Sequence, residues 1–469
     1  MKCLLIEPPR IDEYGNLRIM GSIGSYKADM AWPPLDIMII SGYLQKNGFE
    51  SKIIDANALN IGIGETKRII EKENPDVVIF TTSTSTISND LKIADITKEI
   101  NKDIKTVAIG THVAAVPLET LNFTRNLDAT VIDPEPEFAV LSLIENNLDF
   151  NKTNGLFFRK RDLIVKKHPN KKIMNLDVLG FPSHDKIDLS LYRDPLQKRK
   201  PFTITYASRG CWHGKCIYCS CPFFFQPARA RSISSIVEEL EWIENLGIKE
   251  IKWFDAEFNN FPENTSKLLD EMIKRKIDIT WSALARVDNL PVKLIEKMKK
   301  AGCHTLHVGI ESANESILKN IRKNISLEQA KKTVENIKKS GLNVVTYFML
   351  GLPGETEETM RNTLNFAKEL DPDATTFSIA TPHPKTLFHT WLKQNKLLKS
   401  IDYVNYNPLL PPVYDLVDLK SQEIYDFMVY AQKNFYFRPT FIIKRLYKTR
   451  SFTEFKRGFK TFRMLMKRY

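Results

Sequence analysis

Two stretches of the chain repeat one pattern. A short run of consecutive apolar residues is followed by a longer segment in which apolar side chains recur every three or four positions. In the first stretch the apolar runs fall at 3–6, 51–55, 77–81, 106–110 and 129–132, with helical patterns starting near 35, 65, 88, 115 and 135. In the second they fall at 202–207, 250–255, 279–283, 305–310, 344–350 and 375–380, separated by helical patterns at 233–246, 262–275, 291–301, 326–340 and 356–370. Uninterrupted apolar strands alternating with helices predict parallel sheets covered on both faces. The fold class is therefore α/β: an open parallel sheet, then a barrel, complete or partial, of six β/α units. Between them, residues 150–200 are rich in Lys and Asn and carry a hairpin pattern, GLFFRKRDLIVKK. The expected boundaries are 1–147, a linker at 148–200, the barrel at 201–395 and a C-terminal region at 396–469.

Charge changes this picture at one place. The chain has 469 residues, 68 Lys and Arg against 56 Asp and Glu, and a net charge of +12. Residues 431–469 contain 12 of the bases and one acid, so the rest of the chain is nearly neutral. A general nucleic-acid-binding coat is thus disfavoured, and the tail needs its own explanation. Phe452, Phe455, Phe459, Phe462 and Met466 recur there at helical spacing, with Lys456, Arg457, Lys460, Arg463 and Lys467 beside them. This stripe either packs on the barrel or lies on an anionic membrane surface, which would bring a lipid-like substrate within reach. The longest uncharged run, 340–354, is too short and too broken to span a bilayer. The sequence MKCLLIEPPR lacks the apolar region of a secretory signal. A cytoplasmic setting follows, with peripheral membrane contact as a further expectation.

The chemistry concentrates in ASRGCWHGKCIYCSCP. Of six cysteines, four lie here: Cys211, Cys216, Cys219 and Cys221. The first three are spaced Cys-x4-Cys-x2-Cys, directly after a predicted strand. Three thiolates on a 4Fe-4S cluster leave one iron open for substrate or cofactor. The same spacing suits a structural zinc site with Cys221 or His213 as fourth ligand. Spacing alone leaves both metals open. Cys3, Cys303 and Cys221 read as core residues.

From about 201 to 387 the ordered motifs resemble the radical SAM superfamily. RGC…CIYCS resembles its cluster loop, with one residue more than usual between the first two cysteines and Tyr218 before the last. IKWFDAEF resembles the second-strand segment whose acids, here Asp255 and Glu257, reach the amino group of S-adenosylmethionine (SAM). WSALARVD resembles the third-strand motif and places Arg286 near SAM. HVGIESANESILKNIRK resembles the fourth-strand signature and places Glu311 and Ser312 near its ribose or carboxylate. FMLGLPGET fits the glycine turn of the group, and TPHPKTLFH departs from the usual TPYPGT at His383 and Lys385. The resemblance makes Cys211, Cys216 and Cys219 the cluster ligands and Tyr218, Asp255, Glu257, Arg286, Glu311 and Ser312 SAM-binding residues.

A flavodoxin-like sheet ahead of such a barrel resembles the cobalamin-binding members of the superfamily. WPPLDIMIISGYL, the Thr81–Thr86 turn and GTHVAAVP carry that resemblance. It implies Thr82, Ser83, Gly110, His112 and Val113 as cobalamin contacts. The Asp-x-His-x-x-Gly motif of other cobalamin proteins is replaced by DANALN, so no cobalt ligand is named, and DPEPEF stands where relatives show Gly-Glu-Gly-Glu. The single N-terminal cysteine, Cys3, disfavours the methylthiotransferase branch.

The resemblance implies reductive cleavage of SAM to a 5′-deoxyadenosyl radical and, with cobalamin, C-methylation of an unactivated carbon. The alternatives are cyclisation or carbon-skeleton rearrangement of a tetrapyrrole, lipid or natural product, and, from another class, a zinc-bearing nucleic-acid-binding protein. The implied partners are a small-molecule or lipid-like substrate and an external electron donor, with no nucleic acid. No residue is assigned a catalytic role. Tyr347, His383 and the 403–414 segment are candidates for lining the substrate pocket.

Overall fold

The structure is a computed structural model and describes residues 1–11, 15, 16, 18, 30–408 and 410–448. The apolar stripe of the basic tail lies outside the described residues. Among those described, no helix is long and apolar enough to cross a membrane.

Every strand expected in the first stretch forms. These are β1 (Cys3–Glu7), β2 (Ser51–Asp55), β3 (Val77–Thr81), β4 (Lys105–Ile109) and β5 (Ala129–Val131). They run parallel in the order β2-β1-β3-β4-β5. The alternation of a strand sends Leu5, Ile79 and Val107 to one face and Leu4, Ile6, Val78 and Phe80 to the other. The first set packs on helices Leu35–Lys46 and Glu137–Glu145, the second on helix Lys92–Ile100. Burial on both faces explains why these strands read as unbroken apolar runs.

The hairpin at 155–167 was expected within a linker. It instead extends this sheet: β6 (Leu156–Lys160) pairs antiparallel with β5, and β7 (Leu163–Lys166) with β6. Its inward residues Leu156 and Phe158 join the core beneath the sheet. A hairpin with one apolar face needs a partner surface, and the open β5 edge supplies it.

The second stretch forms β8 (Phe202–Thr205), a two-residue ribbon of β9 (Ser208–Arg209) and β10 (Arg229–Ala230), then β11 (Glu250–Trp253), β12 (Thr280–Ala285), β13 (Cys303–Glu311), β14 (Asn343–Leu350) and β15 (Ala374–Ile379). The six long strands are parallel in the order β8-β11-β12-β13-β14-β15, with β8 and β15 as the two edges of a partial (β/α)6 barrel. The first edge is covered by the N-terminal domain, because Phe202, Ile204 and Tyr206 belong to the same apolar cluster as Leu35, Ile39 and Leu179. The other is covered by helix Ser421–Tyr436, whose Phe435 packs edge-on against Phe377 at 6.4 Å.

The ribbon was not foreseen, since two residues carry no periodicity. It ties off the cysteine loop at its base and sets Arg209 directly opposite Arg229. Like charges at paired positions repel. Both are neutralised from the other domain: Arg229 forms a forked pair with Glu135 at 2.7 and 2.8 Å, and Arg209 pairs with Glu137. All four side chains are at most 5% exposed. DPEPEF thus serves as the acidic half of an interdomain clamp. Removing one partner of a buried pair leaves an uncompensated charge, at a cost of ~3–5 kcal/mol. Glu135→Ala should lower the urea midpoint of the apo-chain by an amount matching that loss, whereas the exposed Glu99→Ala should leave it within about 1 kcal/mol of the parent.

Candidate active site

The cysteine loop spans the gap between the ribbon strands at the carboxyl mouth of the barrel. Two glycines shape it. Gly210 has φ +88°, and a Cβ there would lie 2.3 Å from the Phe225 carbonyl oxygen. Gly214 has φ +50°, and a Cβ would lie 2.0 Å from Gln226 Nε2, which itself donates to the Cys211 carbonyl. Asn260 braces the loop from β11's exit: it accepts from Trp212 N at 2.7 Å and donates to Gly210 O at 3.1 Å. On the far side His213 Nε2 donates to the Arg322 carbonyl at 2.7 Å, and Ile217 N donates to Ile321 O.

These braces turn the four thiols toward one region. Cys211 Sγ donates to Glu257 Oε1 at 2.8 Å; burial and that carboxyl push its thiol up to about 12. Burial, then the neighbouring Cys216, push Cys219 up to about 12. Metal-free, the thiols stay protonated, and a bound cation would draw off their protons. Cys221 is buried in an apolar cluster with Phe224, Phe225 and Ala115, consistent with a core role. Three cysteines on one loop, with Glu257 and Arg286 beside them, supply the thiolate set of a 4Fe-4S cluster with one open iron.

The residues expected to hold SAM divide into two groups. Glu257, Arg286 and Glu311 surround the loop, and Tyr218 is part of it. Glu257 is 1% exposed, lies 3.6 Å from Arg286 Nε, and its Oε2 accepts no hydrogen bond among the described residues. That oxygen has only the long ion pair to Arg286, and a ligand ammonium would give it a direct hydrogen bond. Arg286 forks onto Asp288 at 2.9 and 2.7 Å and covers Trp212 at 5.5 Å. Glu311, held at φ +72°, pairs with Lys323 at 2.7 Å. Gly309 keeps that corner open: a Cβ there would lie 2.5 Å from Glu311 Oε1. Burial, then Glu311, raise the Tyr218 phenol.

Asp255 and Ser312 are instead engaged by the backbone turns beside them. Asp255 accepts from Ala207 N at 3.0 Å and Ser208 Oγ at 2.6 Å, and so anchors the strand that leads into the cysteine loop. Ser312 Oγ accepts from Asn314 N at 3.2 Å. Lys323 and Asp288 lie within the quoted motifs but were not singled out, and Asn260 had no sequence signal because it acts on a loop 48 positions away.

The N-terminal strand ends converge on the same mouth. Thr82 Oγ1 donates to Ile109 O at 2.8 Å. Ser83 N and Thr86 Oγ1 donate to Asp90, and Arg18 balances that carboxylate at 2.8 Å. Gly110 at φ +120° lets the β4 turn press against Thr82, where a Cβ would be 2.7 Å from its carbonyl oxygen. Ser85 Oγ is buried and has no hydrogen-bond partner among the described residues. These small polar strand ends and the close backbone approach suit a large planar ligand. Val113 is buried in the sheet core. His112 stands 3.2 Å from Thr84 Oγ1 and edge-on to Tyr403 at 4.8 Å. Ala114–Val116, which follow it, pack on Cys221, Phe224 and Phe225 of the cysteine loop.

Comparison with known proteins gives the same division. The radical SAM superfamily model matches residues 205–367, and the B12 binding domain model matches residues 22–140. An uncharacterized methyltransferase of Pyrococcus horikoshii is 32% identical over 460 residues, covering 96% of each chain. The anaerobic magnesium-protoporphyrin IX monomethyl ester cyclase of Rubrivivax gelatinosus is 26% identical over 429 residues, covering 88% of this chain and 75% of its own. Among solved structures, the cobalamin-dependent SAM radical enzyme OxsB, with aqua-cobalamin and SAM bound, has a TM-score of 0.72 at 15% identity over 98% of this chain and 72% of its own. The radical SAM methyltransferase TsrM from Kitasatospora setae, with cobalamin and a 4Fe-4S cluster bound, has a TM-score of 0.67 at 17% identity, covering 84% and 75%. The superfamily match runs through the cysteine motif, so the zinc-bearing nucleic-acid-binding alternative is set aside.

Two outcomes follow. Cys216→Ala should abolish the iron and the absorbance near ~400 nm acquired on anaerobic reconstitution, while Cys221→Ser should retain both. His112 is pushed down to about 3 by burial, with His383 adding to it. Its folded value lies below the ordinary 6.5, so its contribution to stability is present above that pH and is lost as pH falls toward about 3. Between about pH 7 and about pH 5 the urea midpoint of His112→Asn should therefore fall less than that of the parent chain.

Proposed function

The chain belongs to the radical SAM enzymes that carry a B12-binding domain, and from that premise we propose that it methylates an unactivated carbon of a small-molecule substrate. Its cofactors are a 4Fe-4S cluster, SAM and cobalamin. When bound, they supply reductive cleavage of SAM and a transferable methyl group.

One observation carries the methyl-transfer reading. The segment that follows the Gly110 turn packs directly on the cysteine loop, and the Arg–Glu clamp fixes the two in place. A ligand at the N-terminal strand ends then faces the barrel mouth, so a methyl donor and a substrate in the barrel can be neighbours.

In this reading Cys211, Cys216 and Cys219 bind three irons and leave the fourth for SAM. Glu257 would accept from the SAM ammonium through Oε2, which takes no hydrogen bond and faces Arg286 Nε at 3.6 Å. Arg286 and Lys323, each neutralised by an acid, offset the negative charge gathered at the loop. Thr82, Ser83, Ser85 and Gly110 bind the corrin face, while Tyr403 and His112 exclude water from its side. A cytosolic setting goes with this reading, because free thiols and a cluster need a reducing compartment.

The similarity to a named cyclase over most of the chain supports a second reading, ring closure or rearrangement without methyl transfer. Product analysis separates the two. After anaerobic reconstitution with hydroxocobalamin, SAM and a low-potential reductant, methyl transfer should yield 5′-deoxyadenosine and S-adenosylhomocysteine together. 5′-Deoxyadenosine alone, across a broad substrate set, would favour the second reading.

A further inference from the structure

Below the cysteine loop the barrel lumen holds side chains that neither the cluster nor the corrin loops use. On β14 and β15 the helix-facing Phe348 and Phe377 are fully buried, yet the inward-facing Tyr347, Met349, Thr376 and Ser378 are only partly so. Leu284 on β12 and Gly309 on β13 share this partial exposure. Small parallel barrels fill their interior with side chains and leave no such access. Here the inner layer is the wall of a chamber open at the mouth.

A cation lies at the bottom of that chamber. Lys252, on the inward face of β11, is 1% exposed. Its Nζ lies 3.4 Å from His307 Nε2, 3.5 Å from Asp194 Oδ2 and 4.5 Å from the centre of the Trp32 ring. None of these is a short charge-assisted contact, for which ~2.7–2.9 Å is usual. Asp194 is already engaged by Trp32 Nε1 at 3.0 Å and Leu196 N at 2.8 Å. The ammonium is thus only loosely paired: its ion pair with the buried Asp194 is long, and that carboxylate is shared with two other donors. His307 is held in register by Tyr347, whose hydroxyl lies 2.9 Å from Nδ1 and whose ring stacks on the imidazole at 15°. To one side, Trp32 and Phe254 meet edge to face at 5.9 Å.

We infer that Lys252, with His307 and Tyr347, is the recognition subsite for a single carboxylate of the substrate, whose apolar body lies along Trp32 and Phe254 toward the barrel mouth. A monocarboxylate competes with Asp194 for the ammonium and adds one negative charge there, whereas a phosphate dianion would add two against the same single cation. Trp32 comes from the N-terminal domain and Asp194 from the connecting segment, so the floor is complete only in the whole chain. The inference rests on the barrel being the reaction chamber, and it adds the substrate class: an apolar or aromatic carboxylic acid.

The test is a binding measurement on the holoenzyme with SAM saturating, so that the carboxylate of SAM does not compete. The probes are aryl and alkyl carboxylic acids, each matched with its primary amide, followed by saturation-transfer NMR and titration. The acids should bind about tenfold more tightly than their amides. Lys252→Gln should abolish that preference at unchanged iron content, and Lys252→Arg should keep part of it. Equal binding of acids and amides, binding by neither, or a preference that survives Lys252→Gln would overturn the assignment. If Lys252→Gln does not fold, the acid-to-amide comparison on the parent chain decides alone. Because the readout is affinity, a non-methylating enzyme would still show the preference, and a methylating one could lack it.

Discussion

Arg209 and Arg229 face each other across the smallest sheet in the molecule, and acids from another domain hold them there. Without Glu135 and Glu137 the ribbon would place two buried guanidinium groups side by side, and the base of the cysteine loop would be pushed apart. With them, the loop takes its position from both domains at once. Gly210 and Asp255 then shape its exit from β8, Asn260 and Gln226 brace its turn, and Ala114–Val116 press on its apolar flank. The cluster site, the SAM residues and the corrin-facing loops all depend on this one electrostatic junction.

Much of this was legible in the sequence, and the limits have a physical origin. Both sheets were readable because parallel strands buried on two faces leave unbroken apolar runs. The cysteine loop was readable because its ligands lie within a few residues of each other. The clamp was not: DPEPEF and RGC are each visible, but nothing local says that Glu137 meets Arg209 across 72 positions. The same holds for Asn260 with the cysteine loop, 48 positions away. Asp255 shows the converse. Its place in the motif suggested a ligand contact, whereas the structure gives both of its oxygens to the turn that precedes the cysteines. The hairpin at 155–167 was recognised as a hairpin but not as part of the sheet, because its partner edge is a property of the tertiary fold.

Around the cysteine loop, charge is graded with depth. At the mouth, acids and bases come in matched pairs, Glu311 with Lys323 and Asp288 with Arg286, so the polar surface is nearly neutral where a dense negative cluster would bind. Deeper in the lumen the pairing loosens, and Lys252 is left with distant partners. A ligand entering the barrel therefore passes from tightly paired charges to a loosely paired one.

Tyr403 has a consequence for how the enzyme matures. It reaches back across 284 positions to Glu119 and covers the His112 ring beside the corrin loops. A nascent chain folds its N-terminal sheet early, as residues emerge. The wall beside that sheet's ligand face cannot form until nearly the whole polypeptide has been made. The corrin-facing wall is therefore closed by a residue from the last part of the chain to be made, so the two ends of the polypeptide share one ligand surface.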